Sequence, residues 1–499
     1  MFKKILIANR GEIALRVIRA SREMGIATVA VYSAVDRGAR HVQMADEAVF
    51  IGPPPPLESY LNIDAIVSAA KSTGAEAIHP GYGFLAENPQ FARRCEESDL
   101  VFIGPDSRAL ALVGDKVASR KAAAGIKAPL IPGMMAVGKA LREFEEAAKR
   151  IGYPILIKAS GGGGGKGMHI VRSPKELSSA IETSRREARS AFGDDSVYLE
   201  KYLEQPRHVE FQVLADRHGG IVHLFERECS IQRRHQKILE ETPSVALDDK
   251  LRRRMGETAV AIIKAANYHN AGTVEFLLDK DRNFYFLEVN ARIQVEHPIT
   301  EMVMGVDLVK LQIRIASGEA LPFQQSDLKQ RGHAIECRIY AENPEQGFLP
   351  SPGKILLVEE PEGPNIRCDS GIYSGIEVTP HYDPILSKLI VWSEDRESAR
   401  RRMISALSDY VILGIPTTVA FLTDVVSHPE FAAGNTHTHF IEQYLPQWRK
   451  DERDGNLLEI ALIAGALAGS QPSSVGVREQ MPRRPTPWQT AGKWTIGGS

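Results

Sequence analysis

Phe284 to His297 reads FYFLEVNARIQVEH, and within it Glu288, Asn290, Arg292, Gln294 and Glu296 alternate with Val289, Ala291, Ile293 and Val295. A period of two predicts a strand with all five polar side chains on one face. A solvated strand face gives the same alternation. This face, however, mixes oxygen donors with an arginine, and Glu275 lies in an otherwise apolar neighbouring segment, Gly272 to Leu277 (GTVEFL). Glu275, Glu288 and Asn290 are hard oxygen donors suited to a magnesium ion that bridges nucleotide phosphates. Arg292 offers a bidentate fork to a small oxyanion, and Glu296 is placed to act as a base.

Upstream, the apolar strand Pro154 to Lys158 leads to the glycine run Gly161 to Gly165 and then Lys166-Gly167. Glycines let backbone N–H groups approach phosphate oxygens and the lysines add charge, so the run reads as a phosphate cradle; a flexible hinge is the alternative. It is not a Walker A loop, because Gly167 stands where a Ser or Thr would meet magnesium. The run sits in a unit from about Ile131 to Leu203: helix Ala140 to Ile151, strand Pro154 to Lys158, strand His169 to Val171, helix Pro174 to Ala191 and strand Ser196 to Lys201. A unit of this size with a small core is a candidate mobile lid. Between the two motifs, Glu226 to Lys237 (ERECSIQRRHQK) gathers Arg227, Arg233, Arg234, His235 and Lys237. A solvated face or a nucleic-acid patch would use the same residues, but beside a phosphate loop and a metal site, anion binding is the economical reading.

At the start, strand Lys4 to Ala8, a helix from about Glu12 to Met24 and strand Thr28 to Tyr32 announce a doubly wound parallel sheet. Its first turn, Asn9-Arg10-Gly11-Glu12, lacks the G-x-G-x-x-G of dinucleotide sites. Beyond Gly332 the pattern changes to short strands, His333 to Ile339 and Gly353 to Val358, and a helix from about Arg396 to Tyr410 with Ala399, Met403, Leu407 and Tyr410 on one face. After Arg449 an apolar segment (Asn456 to Gly469), a Ser/Pro/Arg-rich linker and a strand-like Trp488 to Ile496 form a tail.

With 499 residues, 43% hydrophobic and 25% charged, and a formal net charge of -2, the chain reads as an ordinary globular protein of about three domains with no nucleic-acid character. Cys95, Cys229, Cys337 and Cys368 are scattered with no zinc spacing, as expected of a reduced, cytoplasmic protein. The apolar run Ile5 to Ala8 is too short for a signal segment, and Asn456 to Gly469, which carries Glu459, is shorter than the ~18 residues a membrane span needs. No membrane association is expected.

Taken together, NRGEIA (Asn9 to Ala14), HPGYGFL (His79 to Leu85), KASGGGGGKG (Lys158 to Gly167), RRHQK (Arg233 to Lys237), EVNARIQVEHP (Glu288 to Pro298) and GHAIECR (Gly332 to Arg338) with FLPSPG (Phe348 to Gly353) make the chain resemble the ATP-grasp biotin carboxylases over Met1 to about Leu445. The resemblance implies an α/β and α+β architecture: an N-terminal Rossmann-like domain (1–114), an ATP-grasp domain (115–330) with a lid at about 131–203, a C-terminal mixed β domain (331–446), and a tail (447–499) for partner docking. It further implies that Lys116, Lys158 and the Gly164 and Gly165 amides hold ATP phosphates. Glu200, Lys201, Tyr202 and Leu203 would form a hinge that reads adenine through its backbone, helped by His208, Gln232 and His235. Glu275, Glu288 and Asn290 would hold magnesium or manganese. Lys237, Arg292, Gln294 and the Val295 amide would bind bicarbonate, Glu296 would take its proton, Arg338 would stabilise the biotin enolate, and Tyr82 and Gly83 would lie beside the ureido ring.

No Met-Lys dipeptide of the kind that accepts biotin occurs in the chain. Biotin is therefore expected on a separate carrier protein, and the carboxyl acceptor on a carboxyltransferase subunit. Arg19 and Glu23 match positions at the family's dimer interface, so a homodimer is expected. Acetyl-CoA is the first choice of final acceptor, with propionyl-CoA, another acyl-CoA or pyruvate open. The competing readings are a different ATP-grasp ligase and a non-catalytic nucleotide-binding subunit. His169 stands where relatives often have arginine.

Overall fold

A parallel strand covered on both faces must be apolar nearly throughout, and ILI and TVAV supply this within Lys4–Ile7 (β1) and Ala27–Ser33 (β2). In the computed structural model, which describes residues 1–134, 140–159, 168–192, 195–449 and 462–465, they join Glu47–Gly52 (β3), Ala77–His79 (β4) and Val101–Phe102 (β5). The sheet is parallel throughout, in the order β3-β2-β1-β4-β5. The order reverses between β1 and β4, which opens a crevice at their carboxyl ends. Asn9–Glu12 and Pro80–Gly83 leave the sheet there. Asn9 Nδ2 donates to the Pro80 and Tyr82 carbonyls at 2.7 Å each, stitching the two loops together. Gly81 has φ +62° and any Cβ would lie 2.9 Å from Asn9 Nδ2, so only glycine fits.

The candidate lid is a four-stranded antiparallel sheet of Gly133–Met134 (β6), Ile155–Ala159 (β7), His169–Val171 (β8) and Val197–Lys201 (β9), ordered β6-β9-β7-β8. Helices Leu141–Ile151 and Leu177–Phe192 pack on it, and Phe144, Ile155, Ile157, Val171, Ile181 and Leu199 form a core of their own. The expected elements recur within a few residues of their bounds. The glycine run with Gly164 and Gly165 lies outside the described residues, as do the Lys116 side chain and most of the tail.

A longer antiparallel sheet carries the rest. Arg207–Ala215 (β10), Ile221–Arg233 (β11), Gln236–Thr242 (β12), Asn270–Leu278 (β13), Phe284–Asn290 (β14) and His333–Tyr340 (β15) are joined by the strands Ile385–Ser393 and Ile366–Ser370. The order is β14-β13-β10-β11-β12-β15, then Ile385–Ser393 and Ile366–Ser370. Phe211, Phe276 and Phe286 fill one face, and helix Arg396–Asp409 buries Ala399, Met403 and Leu407, with Tyr410 following it, as the periodicity requires.

Two expectations need correction. The strand at Phe284 does not run to His297: β14 stops at Asn290, and helix His297–Met304 starts with a proline in its first turn. Ladder pairing ends because Glu87, from the HPGYGFL loop, takes the Ala291 N–H at 2.9 Å. Gly353 to Val358 is not one strand either: Gly353–Lys354 pairs with Glu377–Val378, whereas Leu357–Glu359 pairs with Val411–Leu413. Met1–Arg449 makes one compact unit. Among the described residues, no helix is long and apolar enough to cross a membrane.

Candidate active site

Opposed residues in an antiparallel sheet share a face. The registers Arg227↔Glu210, Glu210↔Glu275 and Glu275↔Glu288 therefore run a row of three carboxylates and one guanidinium across four adjacent strands. Side by side, such carboxylates repel, and the sheet supplies cations to match. Lys237 places its Nζ 2.6 Å from Glu210 Oε2, 2.9 Å from Glu275 Oε1 and 2.8 Å from Glu296 Oε1, which uses all three of its donors. Burial alone would lower the Lys237 pKa; the three carboxylates instead hold it well above its ordinary value. Arg227 is fully buried, donating to Glu210 Oε1 at 2.6 Å and to Gln212, Thr300 and Thr273. It supports the row from below and does not reach the cleft.

Glu275 and Glu288 of this row line one wall of a cleft of about 1080 Å³. Tyr82 and Gly83 line its N-terminal side, Lys158 and Tyr202 come from the lid side, and His208, Gln232, His235 and Lys237 come from β10 to β12. Glu275, Glu288, Asn290, Arg292, Gln294, Val295 and Arg338 complete the same wall. Residues brought from so many segments thus converge, although only Glu288 and Asn290 of the quoted five lie in β14. Arg292 and Gln294 arrive on the loop that follows. Arg292 donates through Nε to Glu87 Oε2 at 2.8 Å, through Nη1 to Gln294 Oε1 at 3.1 Å and through Nη2 to Asn290 Oδ1 at 3.2 Å.

Glu296 does not line the cleft. It stands at the N-terminal end of helix His297–Met304 with no side-chain hydrogen bond to that helix end, is 0% exposed, and lies directly behind the wall with Lys237 on Oε1 and Arg338 Nη2 at 3.0 Å on Oε2. Burial raises its pKa, but Lys237, Arg338 and Arg227 outweigh that and hold the carboxyl well below the usual carboxylate range. Glu275 is likewise lowered against the effect of burial, by Lys237 and by His208, whose Nε2 lies 2.9 Å from Glu275 Oε2.

At the lid end Lys158 Nζ sits 2.6 Å from Glu200 Oε2, and Arg120 takes the other oxygen of Glu200. Lys201 Nζ donates to the Gly152 and Tyr153 carbonyls at 2.9 Å each. The side chains of Glu200 and Lys201 thus serve the lid and do not line the cleft, nor does Leu203. The basic cluster divides in the same way. Arg234 and His235 turn the chain between β11 and β12 at φ 49° and 67° and line the cleft. Arg233 points elsewhere, to Glu342 at 2.8 Å and onto the Phe348 ring at 4.3 Å.

The donor set fits a hard cation. Glu275 and Glu288 are cross-strand partners with Asn290 two residues on, all lining the cleft and all oxygen donors. The tightest His/Cys/Asp/Glu group among the described residues is a different one, His208, Glu210 and Cys229. It is a poor site for a hard cation, because beside its single carboxylate it offers an imidazole and a thiol that burial keeps protonated.

Sequence reasoning missed Glu87, Glu240, Glu12 and Lys388. Glu240 Oε1 accepts from Arg338 Nε at 2.7 Å, and Lys388 donates to the Val295 carbonyl at 2.9 Å. A lone lysine in the apolar run of Ile385–Ser393 was the available signal, since a buried charge needs partners.

Comparison with known proteins agrees with this geometry. Residues 1–110 match the family described as biotin carboxylase, N-terminal domain; residues 115–324 match the carbamoyl-phosphate synthase L chain, ATP binding domain; and residues 336–443 match the biotin carboxylase C-terminal domain. A biotin carboxylase of Nostoc sp. is 53% identical over 442 residues, spanning 89% of this chain and 99% of that protein. A pyruvate carboxylase subunit of Methanothermobacter thermautotrophicus is 54% identical over 447 residues, 89% of this chain and 90% of that one. Among solved structures, the biotin carboxylase domain dimer of Hydrogenobacter thermophilus 2-oxoglutarate carboxylase, in complex with MgADP, ADP and bicarbonate, is similar with a TM-score of 0.84. It is 49% identical, covering 91% of this chain and 100% of that one. With three consecutive family matches and relatives of this identity over nearly nine-tenths of its length, the chain belongs to the biotin carboxylase family and has its ATP-grasp fold.

Proposed function

We propose that the chain catalyses the first half-reaction of a biotin-dependent carboxylase: ATP, bicarbonate and biotin on a separate carrier protein give ADP, phosphate and carboxybiotin. The observation that carries this reading is the convergence of Lys237, Arg292, Gln294 and Arg338 around a cleft wall backed by the buried carboxylate Glu296.

Bicarbonate is a weak nucleophile, and removing its proton makes it a better one. An entering bicarbonate competes with Glu296 for Lys237 and Arg338. As those cations turn to the anion, Glu296 loses the contacts that hold its pKa down and becomes a stronger base beside the proton it is to take. A bicarbonate oxygen then attacks the γ-phosphorus, the bond to ADP breaks, and carboxyphosphate forms. Arg292 and Lys237 counter charge on the transferring group. Glu275, Glu288 and Asn290 would hold magnesium or manganese, which supplies charge neutralisation at the phosphates. Lys158 serves the same end from the lid, together with Lys116, Gly164 and Gly165. Tyr202, His208, Gln232 and His235, with the backbone of Glu200, Lys201 and Leu203, form the adenine end.

Carboxyphosphate decomposes to CO2 and phosphate, and phosphate takes the proton of biotin N1′, which then attacks CO2. Arg338 opposes the negative charge that appears on the ureido oxygen, with Tyr82 and Gly83 against the ring. Closure of the lid keeps water from the intermediate, a role that suits a unit with its own core.

The division at 114/115, 330/331 and 446/447 is the domain arrangement we infer. A second copy docked through the Arg19 and Glu23 face, a carrier protein and a carboxyltransferase subunit complete the assembly, located in the cytoplasm. The solved 2-oxoglutarate carboxylase domain described as a dimer supports the second copy. Acetyl-CoA is the acceptor we favour; relatives named for pyruvate and 2-oxoglutarate carboxylases keep other acceptors open. ADP release that requires both bicarbonate and biotin tests the function, and turnover that instead requires an amine or amino acid would replace it with another ligase activity.

A further inference from the structure

Lys388 lies mid-strand in Ile385–Ser393 and is 0% exposed. Its neighbour across β15 is Arg338, an arrangement that sets two cations opposite one another on a sheet face. Asp369 is its partner on the other side. A cation so placed needs strong acceptors, and those of Lys388 come from distant segments. Its Nζ donates to the Val295 carbonyl at 2.9 Å, pairs with Glu12 at 3.3 Å and Asp369 at 3.8 Å, and lies 5.8 Å from the centre of the Tyr82 ring. Val295, Glu12 and Tyr82 all line the cleft. They belong to the loop carrying Arg292 to Glu296, the first turn after β1, and the loop after β4.

We propose that Lys388 is a positioning residue for bicarbonate: by fixing the Val295 carbonyl it sets the Gln294–Glu296 turn, so that the Val295 N–H and Gln294 face the anion. This role rests on the biotin carboxylase reading. Lys388 acts through the loop and does not touch the substrate. The ion pair to Glu12 ties the same turn to the N-terminal sheet and brings the anion end and the Tyr82 end of the cleft into one register.

Burial pushes the Glu12 carboxyl up to about 7, with Lys388 opposing that shift. When Lys388 is replaced, Glu12 takes up a proton, and Asp369 keeps Arg367, whose Nε and Nη2 donate to its two oxygens at 2.9 and 2.7 Å, so a neutral substitution is tolerable.

The test uses steady-state kinetics of the full chain with ATP, magnesium, bicarbonate and free biotin. Lys388→Met removes the donor; Lys388→Gln keeps a shorter, neutral one. The expected result is a bicarbonate KM raised roughly tenfold or more in Lys388→Met, from loss of a charged hydrogen bond. The increase is smaller in Lys388→Gln, and the KM for ATP is unchanged in both. If Lys388→Met does not fold, Lys388→Gln carries the test alone. An unchanged bicarbonate KM in Lys388→Gln and in any folded Lys388→Met overturns the proposal. So does a parallel rise in both KM values, the pattern of a loosened fold. Wild-type protein that releases no ADP on addition of bicarbonate and biotin overturns the function itself and this role with it.

Discussion

Glu275, in the cleft wall, and Glu296, behind it, and Glu240 and Glu336, paired across β12 and β15, are all buried carboxyls around one antiparallel sheet. Their acidities move in opposite directions. Lys237 serves both members of the first pair, with His208 added at Glu275 and Arg338 at Glu296, and both pKa values fall against the pull of burial. In the second pair burial wins. Among the described residues Glu240 has only Arg338 as a direct partner and is pushed up to about 7, and Glu336 has no hydrogen-bond partner and is pushed well above the carboxylate range. Burial is common to all four; the number of cations per carboxylate decides which are ionised. The protein keeps charge where we propose that an anion and a metal are handled, and weaker acids on other strands of the same sheet.

That contrast breaks most severely at Lys237. Lys237→Met leaves Glu210, Glu275 and Glu296 without their shared cation, and we expect a loss of about 3–5 kcal/mol of stability together with loss of turnover. Denaturant unfolding monitored by fluorescence measures the first. A loss below 1 kcal/mol would show that Lys237 is not what holds the three carboxylates together.

Glu240→Gln sharpens the other half. The folded pKa of Glu240, about 7, exceeds its ordinary 4.5, so the native state holds a proton that the unfolded chain has released. Wild-type stability accordingly falls as pH rises from 4.5 to 7 on account of this group. Glutamine does not titrate. The variant should gain on wild type across that window, by at most about 3 kcal/mol at pH 8 and by little at pH 4.5, when thermal unfolding is compared at the two pH values. Glu241, one residue on, gives the opposite sign. His333 and Arg396 lower it to about 2 against burial, so its contribution is present above pH 4.5 and lost as pH falls toward 2.

The smallest effect belongs to the lid surface. Arg142 and Glu146 form an ion pair at 3.2 Å with 88% and 57% of their side chains exposed. Arg142→Ala should change stability by less than about 0.5 kcal/mol and leave kcat unaltered. A larger change would mean that exposed lid charges do more than solvate the helix.

Periodicity and glycine placement made much of this legible. The first strand–helix–strand, the lid elements and helix Arg396–Asp409 follow from apolar spacing that local sequence states openly. Glu275, Glu288, Asn290 and Arg292 of the cleft lining were legible from motif chemistry, whereas Tyr82, Gly83, His208, Gln232 and Arg338 came through the family resemblance. What stayed hidden depended on long-range register. Nothing local says that β14 ends at Asn290, since the cause is Glu87, 204 residues away in sequence from Ala291. Glu210 looks like an isolated acid in an apolar strand until the register places it opposite Glu275. Glu296 reads as the last member of an exposed alternating face, yet it is buried at the start of a helix, because Pro298 ends the extended run just beyond it.

The account turns on Glu296 as the base that activates bicarbonate from behind the wall. The most direct measurement is bicarbonate- and biotin-dependent ADP release by wild type and Glu296→Ala, with MgATP affinity measured alongside. We expect kcat to fall roughly 100- to 10,000-fold with MgATP affinity retained. A variant that keeps wild-type kcat, or a wild type whose ATP cleavage ignores both bicarbonate and biotin, would contradict it.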